Sequence, residues 1–147
     1  MRAVLVLALL VPVMASATTS YLCATEKAAG VSFDKTRGTW DTAIFKADGK
    51  YLVSQATPAE LAESPAKWHV KKLGQSFSMY GCPEDFSNQG RIYCRGIGEF
   101  KFNKENGRFL RTYTLGYYND TPGKVDFFGA EGENTPAVEI GKCSPIN

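Results

Sequence analysis

The sequence predicts a small, mainly β protein: an antiparallel barrel or sandwich of roughly eight to ten short strands, with one short helix near 58–64 and two disulfides. Three observations lead to this fold class. Apolar and polar residues alternate with a period of two along most of the chain, and these runs are rich in aromatic and β-branched residues. Gly, Asn and Asp cluster between the runs, where turns are expected. The chain also has 4 cysteines, an even number.

The N-terminal segment, residues 1–17, is predicted to be a secretory signal peptide rather than part of the fold. Arg2 precedes an apolar run over residues 3–13, and Ala15-Ser16-Ala17 supplies the small residues of a cleavage site. The run is too short for a transmembrane span, which needs about 20 apolar residues. We therefore expect residues 18–147 to form a single disulfide-stabilised β domain, periplasmic or secreted after cleavage near Ala17.

The four cysteines all follow the predicted cleavage site, and an even number in an exported chain is typical of a disulfide framework. Of the three pairings that four cysteines allow, we predict Cys23–Cys143 and Cys82–Cys94. The first pair joins the two ends of the domain, which often lie close together, and the second closes a short loop with turn-forming residues at 88–90. Because no pair has the C-x2-C spacing of a structural zinc site and bonded sulfurs are not nucleophiles, neither a metal nor a reactive thiol is expected.

The first half of the mature chain is predicted to contain four strands and the helix. The four strands are expected at 21–25, 31–33, 39–46 and 50–55. The last two flank Asp48-Gly49, a good turn signal, and are expected to form a hairpin. The helix follows, because Thr57-Pro58-Ala59-Glu60 has the hydroxyl, proline and glutamate of a capping box and Ser64-Pro65 should end it.

The second half contains the clearest local pattern, a hairpin in which residues 98–103 turn through Asn106-Gly107 and return over 108–118. The remaining strands are predicted at 67–73, 75–80, 91–95, 125–128 and 137–140.

His69 is the only histidine, and it does not have the neighbours of a catalytic base, which needs a nucleophile and an orienting group beside it. On a strand, His69 and Lys71 would share one face, and Trp68 and Val70 the other. We interpret this segment as a solvated face over a buried tryptophan, with an anion-binding face as the alternative. The acidic pairs, Glu84-Asp85 and Glu131/Glu133, are interpreted as exposed loop charge, so no catalytic residue, metal or cofactor is predicted.

Aromatic residues make up 12% of the chain and either fill a β core or line a ligand cavity. Tyr117 and Tyr118 are adjacent, and adjacent strand residues face opposite sides, so at least one ring should lie outside the core. Exposed tyrosines suit a contact surface.

Three stretches, YLCATEKAAG, GEFKFNKENGRFLRTYTLGYY and TPAVEIGKCSPI, resemble a group of small exported proteins of Gram-negative bacteria with a signal peptide and four cysteines. Members of that group have no assigned activity, so the resemblance implies no function. Gly38-Thr39-Trp40 is similar to the G-x-W of lipocalins and avidins. Tyr21-Leu22-Cys23, with the size and the disulfides, is similar to the early Y-x-C of periplasmic inhibitors of C-type lysozyme. Both similarities imply binding rather than catalysis.

We therefore expect a non-catalytic exported protein that binds a macromolecule, a protein or a glycan of the cell envelope, with enzyme inhibition as one form of that role. The net charge of +2 gives no reason to expect a nucleic acid partner. A small-ligand carrier with a lipocalin-like, aromatic-lined barrel is the alternative, and a hydrolase is least favoured. The candidate contact residues are the Cys82–Cys94 loop and Tyr117, Tyr118, Trp68, His69 and Lys71.

Overall fold

The computed structural model describes residues 19–118, 125–126, 129–130 and 134–146. The predicted signal peptide, residues 127–128 of one predicted strand, and Glu131 and Glu133 lie outside the described residues. The described part contains one short helix and two sheets, the larger of nine strands and the smaller of two.

Eight antiparallel strands of the larger sheet close into a barrel, which resolves the predicted choice between barrel and sandwich. Around the barrel the order is β1, β3, β4, β5, β6, β7, β8, β11 and back to β1, while β2 is an additional strand on β1. The elements are β1 (Ser20–Asp34), β2 (Thr39–Phe45), β3 (Lys50–Gln55), α1 (Pro58–Glu63), β4 (Trp68–Lys72), β5 (Tyr80–Cys82), β6 (Arg91–Gly96), β7 (Glu99–Asn103), β8 (Arg108–Tyr113), β9 (Val125–Asp126), β10 (Gly129–Ala130) and β11 (Ala137–Ile146).

The interior of the barrel is filled by the inward-facing residues that the alternation predicts. Phe100 and Phe109 stack with ring centroids 5.1 Å apart, and Tyr51 and Tyr80 pack against Phe100 at 5.8 and 5.9 Å. Aromatic pairs at such distances add about 0.5–1.5 kcal/mol each beyond the area they bury. The core is therefore a packed aromatic layer rather than a hollow.

A second aromatic group packs against the same core at the Cys82–Cys94 loop. Phe86 of that loop lies 4.9 Å from Trp68 and 5.8 Å from Phe102, centroid to centroid, and Tyr21 lies 4.9 Å from Phe102. The loop therefore covers this part of the core with its own phenylalanine.

Both predicted disulfides are confirmed, and each joins neighbouring strands. Cys23 lies directly opposite Cys143 in the pairing of β1 with β11, the two strands that close the barrel. Cys82 of β5 is bonded to Cys94 of β6. All four cysteines are buried in the core.

The predicted strands at 21–25 and 31–33 are wrong in one respect, because β1 runs through both without a break. The chain between them continues the ladder to β11, with a bulge between Thr25 and Lys27. A bulge inserts an extra residue and bends a strand without ending it. The Ala-Ala-Gly sequence at 28–30 does not interrupt β1 because it pairs in regular register with β11 on one side and β2 on the other.

The predicted hairpin between 39–46 and 50–55 is also wrong, although both segments are strands. β2 pairs with the second half of β1 and β3 with its first half, so the two strands share β1 and not each other. Gly49 does not have the positive φ that a tight hairpin turn requires. Instead, its carbonyl accepts a hydrogen bond from Thr25 N at 2.9 Å, beside the bulge.

Other local predictions are confirmed with shifted ends. Thr57 and Glu60 form both hydrogen bonds of the capping box at the start of α1, and Gly107 turns the β7–β8 hairpin with φ of 67°. β8 ends at Tyr113 rather than at 118. The predicted strand at 75–80 is wrong except at its last residue, because the chain turns after β4 at Gly74, which has φ of 88°, and β5 begins only at Tyr80. In the described part, no helix is long and apolar enough to cross a membrane.

The two disulfides should contribute unequally to stability, because they close loops of 12 and 120 residues. The chain-entropy model gives about 3 kcal/mol for the short loop and about 5 kcal/mol for the long one. Urea unfolding of the Cys82→Ser/Cys94→Ser and Cys23→Ser/Cys143→Ser double variants measures both costs. An equal or smaller cost for Cys23–Cys143 would contradict this ranking.

Candidate binding site at one end of the barrel

Five polar side chains form a connected cluster near one end of the barrel interior. Arg111 of β8 and Glu139 of β11 lie directly opposite each other and form an ion pair, with only 11% and 14% of their side chains exposed. The other oxygen of Glu139, Oε2, accepts hydrogen bonds from the hydroxyls of Thr25 and Tyr51, both at 2.8 Å. Arg111 Nε donates to the hydroxyl of Tyr80 at 2.6 Å. The pair is thus held by side chains of three other strands, β1, β3 and β5.

The surroundings of Arg111 keep its guanidinium charged. Burial alone would lower the pKa of Arg111, but Tyr80, Tyr51 and Glu139 outweigh it, so the pKa lies above its usual value. The guanidinium carbon also lies 5.7 Å and 5.9 Å from the ring centroids of Tyr51 and Tyr80, a favourable arrangement for a cation. Burial in turn raises the pKa of both tyrosines, so both remain hydrogen-bond donors at neutral pH.

A cleft of about 310 Å³ opens from this cluster to solvent. Arg111 and Glu139 line it, and Phe45, Lys46 and Asn134 lie among its other residues. The lining combines a charged pair, a further cation, an amide and two aromatic rings, so the cleft suits a polar group.

A group of aromatic side chains, none of which lines the cleft, lies at the same end of the barrel. Phe33 and Trp40 are opposite each other where the β1–β2 ladder extends past the barrel, with ring centroids 5.5 Å apart. Tyr117 packs edge-on against Trp40, also at 5.5 Å. Tyr117 remains 64% exposed and Tyr118 87% exposed, as expected for a contact surface. We call Trp40, Tyr117 and Tyr118 the aromatic rim.

Gly116 lets the chain that leads to the aromatic rim pass close to Asn134, which lines the cleft. Gly116 has φ of 102°, and a Cβ built there would lie 2.1 Å from the carbonyl oxygen of Asn134. Only glycine tolerates both the conformation and the close approach. The chain therefore turns at Gly116, and Tyr117 follows against Trp40.

The other three candidate contact residues lie on the opposite side of the barrel. β4, which carries Trp68, His69 and Lys71, is separated from β8 by three strands in either direction. The structure therefore does not bring them together with Tyr117 and Tyr118.

The predicted solvated face of β4 is wrong in its exposure. Trp68 is buried, as expected, but His69 is buried as well, on the opposite face of β4. There it lines a pocket of about 350 Å³ together with Glu60 of α1, and Lys71 forms a 2.9 Å ion pair with Glu60. Neither ring nitrogen of His69 has a hydrogen-bond partner among the described residues. The helix covers the face that the alternation assigns to solvent.

Of the acidic pairs, only Glu84-Asp85 lies within the described residues, and Asp85 has a structural contact. Its carboxylate accepts hydrogen bonds from the backbone N of Phe86 at 2.7 Å and from the indole of Trp68 at 2.9 Å. These bonds lower the pKa of Asp85 and tie the Cys82–Cys94 loop to β4. No group of His, Cys, Asp and Glu in the described part of the chain is arranged to hold a metal ion.

Sequence reasoning missed the Arg111–Glu139 pair, although one signal for it was present. Arg111 falls between Phe109 and Tyr113 on the inward face of β8, where an arginine is unusual. Nothing comparable marks Glu139, because Val138 and Ile140 beside it suggest that they, and not Glu139, face the core.

Comparisons of the chain with protein-family models, with curated proteins and with solved structures found no match. Its function has to be inferred from the site itself.

Removing one partner of the Arg111–Glu139 pair should destabilise the protein more than removing both. Arg111→Met or Glu139→Met alone leaves a largely buried charge without its counter-charge, which costs about 3–5 kcal/mol, whereas a double replacement by apolar side chains is often nearly neutral. Urea unfolding of the two single variants and the double variant measures this coupling. The exposed Arg37–Asp41 pair is the control and should show coupling below about 1 kcal/mol. Additive costs at Arg111 and Glu139 would contradict the prediction.

Glu60 should give the protein a stability contribution that acid removes. The backbone N–H of Thr57 and the ammonium of Lys71 lower the pKa of Glu60 from 4.5 to about 2. A lowered folded-state pKa contributes stability above pH 4.5 that is lost as the pH falls through about 2. The urea midpoints of wild type and Glu60→Gln should therefore differ at pH 6 and converge toward pH 2. Glu63→Gln, on the same helix, is the control, and a constant difference for Glu60→Gln would refute the assignment.

Proposed function

We propose that this protein is a non-catalytic, exported binding protein that holds a loop of a partner protein at the open end of its barrel. The aromatic rim would pack against the partner, and the adjacent cleft would receive one of its polar side chains. The observation that carries this proposal is the pair of exposed tyrosines, Tyr117 and Tyr118, the first of them held against Trp40, near a cleft lined by Arg111 and Glu139.

The filled interior favours this function over that of a carrier for an apolar ligand. A carrier needs an apolar cavity of about 300–1,000 Å³ inside the barrel. Here Tyr51, Tyr80, Phe100 and Phe109 occupy that space in mutual contact. The space that is open at this end has Arg111 and Glu139 in its lining, and an apolar ligand would leave their hydrogen-bonding capacity unmet.

The aromatic rim has the properties of an interface hot spot. Tyrosine and tryptophan are enriched among residues that dominate binding energy, because they bury a large area at little cost in side-chain entropy. The contact between Tyr117 and Trp40 holds one tyrosine in place before any partner arrives. A pre-organised side chain loses less freedom on binding.

The cleft would add specificity. Arg111 and Glu139 are already fixed by three tyrosine and threonine hydroxyls, so they present a rigid set of donors and acceptors. A partner side chain that matches them gains hydrogen bonds, and one that does not leaves a buried polar group unpaired, which costs about 1–3 kcal/mol.

The arrangement of ionisable groups supports binding rather than catalysis. His69 and Glu139 belong to opposite faces of the barrel wall, on strands that are not neighbours. A general base needs its partners within hydrogen-bond reach. The two disulfides are compatible with an oxidising compartment, which supports the proposed export.

The rim should be tested by capture and then by affinity. Residues 18–147, immobilised, are used to capture a partner from cell-envelope extract, and the Kd of the purified partner is measured by calorimetry. Tyr117→Ser/Tyr118→Ser should weaken binding by about 30-fold or more, the range of hot-spot residues. Phe77→Ser is the matched control, because Phe77 is 61% exposed but lines the pocket near α1, and it should leave the Kd unchanged.

Three results would reject the proposal. One is equal binding by the rim variant and the control. Another is capture that glycosidase treatment of the extract abolishes and protease treatment does not, which would indicate a glycan partner. The third is a small apolar molecule bound inside the purified protein in native mass spectrometry, which would indicate a carrier.

A further inference from the structure

A groove of about 430 Å³ lies on the outer wall of the barrel, across β6, β7 and β8. Alternation along these strands directs Arg91 and Tyr93 of β6, Lys101 of β7, and Arg108 and Leu110 of β8 away from the core, and all five line the groove. The groove therefore combines an aromatic ring, an aliphatic side chain and three cations.

Positive charge is concentrated on this wall. The outward-facing charged residues of β6, β7 and β8 are four basic residues and a single acidic one, in a chain whose net charge is only +2. The acidic residue, Glu99, pairs with Lys101 at 3.0 Å. Neither Arg91 nor Arg108 forms an ion pair with any residue that the structure describes.

The cations form a row that crosses four strands. Arg91 is paired in the ladder with Asn103, Asn103 with Arg108, and Arg108 with Lys142 of β11. Neighbouring strands lie about 4.8 Å apart, so Arg108 and Lys142 are near neighbours and Arg91 is about two strand spacings from Arg108. We call Arg91, Arg108 and Lys142 the cationic row.

An apolar row runs parallel to the cationic row, two residues further along each strand. Tyr93 is paired with Lys101, Lys101 with Leu110, and Leu110 with Ile140 of β11. Ile140 is 46% exposed. Two residues along a strand correspond to about 7 Å. Three apolar residues, with Lys101 of β7 between two of them, therefore lie that distance from Arg91 and Arg108, which have no ion-pair partner among the described residues. We call Tyr93, Leu110 and Ile140 the apolar row.

Tyr93 is not free to stack on a nucleic acid base. Arg95 lies 5.0 Å and Lys101 5.2 Å from its ring centroid, and its hydroxyl donates to Glu99. Sequence-tolerant binding of single strands relies on aromatic faces open to successive bases, which this groove lacks. An elongated aliphatic chain, in contrast, does not need an open ring face and can pack along Leu110 and Ile140.

We propose that this groove binds one anionic amphiphile, a molecule with a single acyl chain and a carboxylate or phosphate head. The chain lies along the apolar row, and the head is held by the guanidinium groups of the cationic row, which match planar oxyanions through paired hydrogen bonds. Arg108 is the first residue of β8 and Tyr113 the last, so this site and the aromatic rim lie toward opposite ends of that strand. The two proposals are therefore independent and can fail separately.

The experiment uses the oxidised chain over residues 18–147 and monomeric myristoyl lysophosphatidylglycerol, with the zwitterionic myristoyl lysophosphatidylcholine for comparison, both below their micellar concentrations. Calorimetry at low salt should show that the anionic lipid binds about tenfold more tightly than the zwitterionic one, since each of two contacts to a charged group changes the Kd by a few-fold.

Three variants test the placement of the lipid. Arg91→Gln/Arg108→Gln should abolish the preference for the anionic lipid. Lys50→Gln/Lys72→Gln removes the same charge from exposed positions on β3 and β4 and should preserve it. Leu110→Ser should weaken binding of both lipids by a similar factor.

Other outcomes would overturn the proposal, each for a stated reason. Inorganic phosphate binding as tightly as the lipid would show an anion site with no role for the chain. A single-stranded oligonucleotide competing at equal affinity would show a nucleic acid surface. Binding to vesicles of phosphatidylglycerol without binding of the monomer would show a membrane-surface contact. A preference that survives Arg91→Gln/Arg108→Gln would place the lipid elsewhere.

Discussion

Closure of the barrel between β1 and β11 is the interaction on which the rest of the structure depends. The two strands pair at ten positions, with Cys23 bonded to the cysteine opposite it. β11 also pairs with β8 along its other edge, so it connects β1 to the rest of the barrel. The polar cluster needs this closure, because Glu139 comes from β11 while the hydroxyls that hold it come from β1 and β3. An open sheet would leave a charge on its apolar face without those partners.

A filled interior directs binding to the ends and the outer wall of the barrel. The aromatic layer around Phe100 and Phe109 occupies the middle of the barrel, and Tyr51 and Tyr80 of the same layer contact Arg111. The rim and the groove then differ in chemistry. The rim offers aromatic area near a neutralised ion pair, and the groove offers Arg91 and Arg108, which form no ion pair with any described residue. If both proposals hold, one small domain would contact two kinds of molecule at different places on its surface.

Prediction from the sequence succeeded where the signal was local and failed where strands far apart in the chain meet. The capping box of α1, the turn at Gly107 and the two-residue alternation are properties of neighbouring residues, and the structure contains all three. The continuity of β1 depends instead on its pairing with β11, more than 100 residues away, across a bulge that no residue type in the sequence indicates. The hairpin predicted between β2 and β3 fails because β1 is long enough to pair with both, β2 along its second half and β3 along its first half.

The candidate site shows the same division. Tyr117 and Tyr118 were predicted to be available because adjacent strand residues face opposite ways, and both are exposed, although the reason is that β8 has already ended. Arg111 and Glu139 come together only through the pairing of β8 with β11. His69 was predicted to face solvent because the alternation pattern describes a single strand. It contains no information about α1, which covers that face.

Formation of the Cys23–Cys143 bond also reports how far a molecule has progressed in folding. Cys82 and Cys94 can meet through a short loop, but Cys23 and Cys143 are 120 residues apart and meet only when the first and last barrel strands pair. Contacts of such sequence separation form slowly, since the entropy of a long loop must be lost first. A native Cys23–Cys143 bond therefore marks a chain whose first and last barrel strands have met. If the protein is exported as proposed, thiol–disulfide exchange at these two cysteines would be completed only after that pairing.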